Sequence, residues 1–227
     1  MLLKIIKIIE ETPDTKTLRF SLDKNKFEFL PGQFIMLEAK VNDKIERRAY
    51  SISSSPTEKD YMEITVKKVE NGKVSNYIHS LKEGISLEIK GPYGHFTLDE
   101  KAKDIVLIAA GCGVAPFMSM AKYIINKKLN INVKLIYSEK TPDNLICRKE
   151  FEDLQKYENF KYVVTLTRFN ESSWKGLKGR VNAELIKKHT AKDSIFYISG
   201  SVQMVDGIVE LLKEINISKE KIKIEKY

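Results

Sequence analysis

Arg48-Ala49-Tyr50-Ser51 sets a cation, an aromatic ring and a hydroxyl close together at the end of a strand-like stretch. A guanidinium neutralises a pyrophosphate, a tyrosine ring lies flat on a conjugated ring, and a serine hydroxyl bonds a ring nitrogen. A plainer reading stays open: Tyr50 as a barrel aromatic, with Arg47 and Arg48 as edge charges that deter strand pairing. Gly72-Lys73-Val74-Ser75 opens a short helix and offers free N–H groups to a second anion, with Ser75 placed to cap the helix start. Lys67 and Lys68, on the strand leading there, would assist or simply be solvated.

Gly111-Cys112-Gly113-Val114-Ala115-Pro116 is a glycine-rich turn between an apolar strand and a helix expected to open at Pro116. Its glycines let backbone N–H groups approach a pyrophosphate, and the helix directs its positive end at the same anion. Proline suits a first helical position because its missing N–H would be unpaired there anyway. Two further segments fall at C-terminal strand ends, where ligands collect in such sheets. They are Thr167-Arg168 and Ser199-Gly200-Ser201. Arg168 and Arg180 would clamp an extra phosphate or stand as two solvated arginines. Met204 reads equally as core or ligand contact.

The elements that must carry these groups change rhythm once. Leu3–Ile9, Thr17–Leu22, Gln33–Ala39, Arg47–Ile52, Tyr61–Val69 and Ser86–Ile89 read as short strands between turn signals such as Asn42-Asp43 and Gly91-Pro92. Val74–Leu81 reads as one interrupting helix. This is the pattern of a small antiparallel barrel or sandwich. From Ile105 onward strands and helices alternate, beginning with a continuous apolar run suited to a strand buried on both faces. The expected division is 1–98 and 99–227, with a charged linker at Asp99–Asp104.

The 227 residues suffice for two medium domains, and 42% hydrophobic with 31% charged residues describes a globular chain. The net charge of +8 comes from lysines scattered among acids, which favours a Lys-rich surface over a nucleic-acid footprint. Two cysteines, Cys112 and Cys147, cannot supply the four thiolates of an iron–sulfur cluster, and the three histidines show no metal-ligand spacing. Lys4 and Lys7 interrupt the apolar start, and the run Ile105–Ala121 is broken by glycine and proline. The expectation is therefore a cytoplasmic protein with no membrane span and no nucleic-acid partner.

Taken in order, Arg48-Ala49-Tyr50-Ser51, Gly72-Lys73-Val74-Ser75, Gly91-Pro92-Tyr93-Gly94, the glycine turn and Ser199-Gly200-Ser201 through Met204 resemble the ferredoxin–NADP reductase superfamily over essentially the whole chain. The resemblance implies an N-terminal antiparallel Greek-key β-barrel followed by a five-stranded parallel doubly wound α/β domain. It implies FAD on the barrel, held by Arg48, Tyr50 and Ser51, with Thr65, Val66, Lys67, Val74 and Ser75 around its ribityl and pyrophosphate. It implies NADP or NAD on the second domain, its nicotinamide brought over the flavin. NADP is preferred because Thr167-Arg168 resembles the family's 2′-phosphate contact. The last residues, Glu225-Lys226-Tyr227, resemble the Glu-x-Tyr ending of plant-type members, in which the aromatic covers the flavin. Ser199 stands where the family commonly has cysteine, which puts that residue's role in hydride transfer in question.

The implied activity is an NAD(P)H-dependent flavoprotein reductase: hydride passes to flavin, then single electrons to a protein acceptor. Ser51 would position the flavin, Glu225 would assist protonation and Tyr227 would gate access. The acceptor would be an acidic redox protein, ferredoxin or flavodoxin, or a separate iron–sulfur subunit. Alternatives are a free-flavin reductase, an electron-transfer subunit of a larger iron–sulfur complex, and a non-catalytic nucleotide-sensing module.

Overall fold

The computed structural model describes residues 1–23, 26–41 and 43–227. Asn42, half of one expected turn, lies outside them. The chain divides into two compact units, Met1–Leu98 with Ala115–Lys127, and Asp99–Val114 with Lys128–Tyr227.

The first unit contains β1 (Leu2–Thr12), β2 (Thr15–Ser21), β3 (Phe34–Val41), β4 (Lys44–Ser51), β5 (Tyr61–Lys67) and β6 (Ser86–Tyr93). They pair antiparallel in the order β4-β3-β6-β1-β2-β5. An antiparallel bridge between Ile52, just past β4, and Ile64 in β5 closes the sheet on itself. Alternate residues turn inward, as a half-buried strand requires. Ile35, Leu37 and Ala39 of β3 thus meet Leu3, Ile5, Leu18, Phe20, Ile64, Val66, Leu87 and Ile89 in one core. Burying each large aliphatic side chain contributes about 1.5–3 kcal/mol. Helix α1 (Lys73–Ser80) adds Val74 and Ile78, one turn apart, to the same core.

β6 runs through Gly91-Pro92, which the sequence reads as a turn. A register shift in the β3–β6 pairing, with one extra residue of β6 set against the step from Phe34 to Met36, absorbs the interruption. Helix α2 (Ala115–Asn126) starts one residue before the expected Pro116 and packs with the barrel unit, although it follows the glycine turn in sequence. Ser119 Oγ donates to Ser54 O at 2.6 Å, and the Phe117 ring lies 6.1 Å from that of Phe96.

The second unit holds six parallel strands in the order β10-β9-β8-β7-β11-β12. These are β7 (Asp104–Ala110), β8 (Asn132–Glu139), β9 (Phe160–Leu166), β10 (Leu177–Lys178), β11 (Ile195–Gly200) and β12 (Ile222–Lys226). Helices α3 (Arg148–Leu154), α4 (Ala183–Lys188) and α5 (Val202–Glu214) connect them. Five are the expected strands; β10 is a two-residue addition at one edge, too short to leave a periodic signal. Ile105 to Ala109 are fully buried, as the unbroken apolar run requires. No helix among the described residues is long and apolar enough to cross a membrane.

Candidate active site

Parallel strands β7, β8, β9, β11 and β12 end on one side of their sheet, and most of the candidate groups of the second unit collect there. β7 runs directly into a 3₁₀ turn, Gly111–Val114. A Cβ on Gly113 would sit 2.1 Å from Ser199 O, so the turn touches the end of β11 backbone to backbone and admits only glycine. Gly111 has φ +57, in the left-handed region. Ser199 lies opposite Glu225 in the β11–β12 register, and Gly200 opposite Lys226.

The Tyr227 amide donates to Gly200 O at 3.3 Å. Its hydroxyl accepts from the Gly113 amide at 2.9 Å and donates to Ala110 O at 3.0 Å. The residue is 61% exposed overall, yet its hydroxyl is sunk into the turn. Burial pushes that phenol well above its ordinary value, so it stays neutral at any working pH. Ser199, Gly113, Glu225 and Tyr227 therefore form one cluster. Ser199 Oγ is buried with no hydrogen-bond partner, a donor that a ligand group could engage.

Two residues that the sequence did not single out support this turn. Tyr137, fully buried in β8, shares its O–H between Gly111 O and Glu139 Oε1, each at 3.2 Å, and accepts from the Ile146 amide at 3.3 Å. Burial, reinforced by Glu139, raises its phenol well above the usual value. Glu139 ends β8 and also accepts from the Lys140 amide. The rule that ligands gather at strand ends, applied to β8, would have found both. Tyr137→Phe should leave the Ile146 amide unsatisfied and loosen the turn, costing about 1–3 kcal/mol. The expected signature is a several-fold rise in KM for the pyridine nucleotide with kcat nearly unchanged, read by steady-state kinetics beside a urea melt.

At the end of β9, the amides of Thr167 and Arg168 donate to Glu139 O and Lys140 O, leaving both side chains near the tip of the strand. Gly179 donates to Leu166 O, and Thr165 Oγ1 donates to Gly179 O at 2.6 Å. Those bonds bring the segment bearing Arg180 back beside Arg168, and both arginines are exposed. Met204 Sδ would lie 3.1 Å from a Cβ on Gly200, and its amide donates to Ser201 Oγ, which caps α5. Pro116 is buried in the first turn of α2.

In the barrel unit, Arg48, Ala49, Tyr50 and Ser51 complete β4. The Arg48 side chain is 53% exposed and, among the described residues, engages its neighbours Glu46 and Arg47 O. Tyr50 rests against the barrel core. The Thr65 hydroxyl bonds Thr17 and Ser53 inside the barrel, so its side chain is taken up within the protein. Val66 is buried, and Lys67 pairs with Asp14 at 3.1 Å. Ser75 does not cap α1. Gly72 is the capping residue, because Ser75 lies three positions inside the helix. Its Oγ instead accepts from the Val69 amide and donates to Gly72 O, tightening the preceding turn. With no side-chain cap, the first turn of α1 keeps its N–H groups for another acceptor.

These features suit two dinucleotide-type cofactors, one per unit. The uncapped α1 and exposed Arg48 fit the phosphates of a flavin nucleotide. The side-chain-free Gly113 contact and the orphaned Ser199 hydroxyl fit a pyridine nucleotide. The geometry is that of an oxidoreductase binding both.

Comparison with known proteins agrees. Residues 2–98 match the oxidoreductase FAD-binding domain family, and residues 107–210 match the oxidoreductase NAD-binding domain family. The chain is 34% identical over 191 residues to the glycine betaine monooxygenase reductase subunit of Pseudomonas aeruginosa, covering 82% of this chain and 52% of that protein. It is 32% identical to the sulfhydrogenase 1 subunit gamma of Pyrococcus furiosus, covering 92% and 73% respectively. It superposes on a ferredoxin NADP+ reductase from Neisseria gonorrhoeae, solved with bound FAD and NADP, with TM-score 0.87 at 24% identity, covering 100% of this chain and 98% of that one. The chain spans about half the length of glycine betaine monooxygenase reductase subunits. It belongs to the oxidoreductases built from these FAD-binding and NAD-binding domains, and it has the fold of a ferredoxin NADP+ reductase.

Proposed function

We propose that the chain oxidises NAD(P)H and delivers the electrons one at a time to a separate redox protein. The observation that carries this reading is the cluster at the C-terminal edge of the parallel sheet. There a glycine turn, an unpartnered buried hydroxyl and the Glu225–Tyr227 terminus meet within one unit. Bound FAD would supply the exchange of a two-electron hydride for single electrons. The chain's own residues bind and orient. Arg48 and the first turn of α1 hold phosphates, and Ser51 positions the ring system at the end of β4. Gly113 and Ser199 Oγ receive the nicotinamide end of the second nucleotide. Glu225, beside Ser199, holds a proton for the reacting ring.

Several relatives are named as reductase subunits or components, which supports an acceptor carried on another chain. An acidic ferredoxin- or flavodoxin-like protein, or an iron–sulfur subunit, suits a net charge of +8. Purification with FAD retained through gel filtration is the test against the free-flavin alternative, since a colourless protein would overturn bound FAD. Arg168 and Arg180, exposed at the end of β9, favour NADPH over NADH. Arg168→Ala should raise KM for NADPH about tenfold or more, the worth of a charge-assisted bond to phosphate, and leave KM for NADH unchanged. An unaltered preference would remove the phosphate clamp.

A further inference from the structure

Strand β12 is the outermost strand of the parallel sheet, and among the described residues no strand pairs with its other edge. Such an edge presents backbone N–H and C=O groups to any strand that can match them. The Tyr227 amide donates inward to Gly200 O. Because backbone groups alternate along a strand, Lys223 and Glu225 point inward with it, while Ile224 and Lys226 direct theirs outward; Ile222 turns only its carbonyl outward, since its amide donates back to Lys219 O. Ile224, at the centre, is 45% exposed.

Lysines on an edge commonly deter pairing. Here both lysines of β12 are already engaged within the chain: Lys226 Nζ lies 2.6 Å from Asp206, and Lys223 Nζ donates to the Tyr197 hydroxyl at 3.1 Å. The sequence Ile222-Lys223-Ile224-Glu225-Lys226 is also complementary to itself when reversed. Centred on Ile224, an antiparallel copy sets Ile224 against Ile224, Ile222 against Lys226 and Lys223 against Glu225. Outward-directed groups then face outward-directed groups, and opposite charges face each other twice. Centring on Lys223 would oppose lysine to lysine, and centring on Glu225 would oppose glutamate to glutamate. A one-residue slip between these registers would set outward groups against inward ones.

We propose that a second copy of this chain pairs antiparallel with β12 about a two-fold axis at Ile224, joining two six-stranded sheets into one. The contact is isologous and closes at two copies. It does not rest on the redox reading: Glu225 takes part in both, but Ile224, on which the test turns, has no part in the cofactor sites.

Sedimentation of the full chain tests it. The wild-type protein should sediment at twice the chain mass of 26.1 kDa. Ile224→Lys, which sets like charges against each other on the axis, should return it to the single-chain mass. Ile224→Pro should do the same, because the amide it removes bonds nothing in β11. Hydrogen exchange supplies a second readout on the wild type that needs no variant. The outward amides of Ile224 and Lys226 should be protected, together with the inward amides of Lys223 and Glu225. A wild type of single-chain mass at the highest concentration reached would overturn the proposal. So would a dimer that survives both substitutions with unchanged far-UV circular dichroism, or one in which the two outward amides exchange freely.

Discussion

Gly113→Ala should cripple the second unit and leave the first intact. The added methyl would lie 2.1 Å from Ser199 O, 2.4 Å from Ser199 C and 2.8 Å from the Gly200 amide, all of them backbone atoms. No flexible side chain is available to move. The β7 turn and the end of β11 must separate, in a sheet whose strands are otherwise buried. Overpacking of this kind costs about 1–3 kcal/mol even where side chains can yield, so about 3 kcal/mol or more is expected here. That corresponds to a melting temperature lower by about 6–12 °C for a chain of this size. FAD content should persist, because Arg48 and α1 belong to the barrel unit, while KM for the pyridine nucleotide should rise beyond measurement. A melting temperature and KM equal to wild type would show that the turn does not hold its backbone against Ser199.

Tyr227→Phe should act in the opposite direction and tighten nucleotide binding. The Tyr227 hydroxyl occupies the Gly113 amide and also bonds Ala110 O. A nucleotide that takes the Gly113 amide must first break both bonds. At about 0.5–1.5 kcal/mol each, they reduce the apparent affinity by about 5- to 150-fold. Removing the hydroxyl lifts that competition, so Kd for the oxidised pyridine nucleotide should fall by a factor in that range, read by equilibrium titration. The phenol is neutral throughout the working range, so the gain should be the same at pH 6 and pH 9. A weaker Kd in the variant would mean that the hydroxyl helps the nucleotide and does not compete with it.

The sequence showed the strands of both sheets because their side chains alternate or run unbroken, and burial enforces either pattern over many residues. It also marked the glycine turn and the ends of β9 and β11, because strand-to-helix junctions in an alternating βα pattern fall at strand ends whatever the residues there do. It failed where a residue's role depends on partners distant in sequence. The resemblance sets Thr65 beside the flavin, and nothing local in the sequence shows that its hydroxyl turns inward to Thr17 and Ser53. Ser75 reads as a cap because serine favours helix starts and lies at the start of the expected helix, but the helix begins two residues earlier, at Lys73. Tyr137 and Glu139 hide in an apolar strand, where nothing local reveals that a phenol reaches across to Gly111. β10 needs β9 to exist at all, as two residues have no period of their own. The apolar character of α2 is plain in the sequence, but not that its side chains pack with the barrel unit.

Anaerobic mixing of the protein, as purified with its flavin, against one equivalent of NADPH or NADH tests the account at its centre. The flavin absorption band should bleach within the mixing experiment and recover when a one-electron acceptor is added. A flavin that stays fully oxidised with both nucleotides, in a protein that binds them, would contradict it.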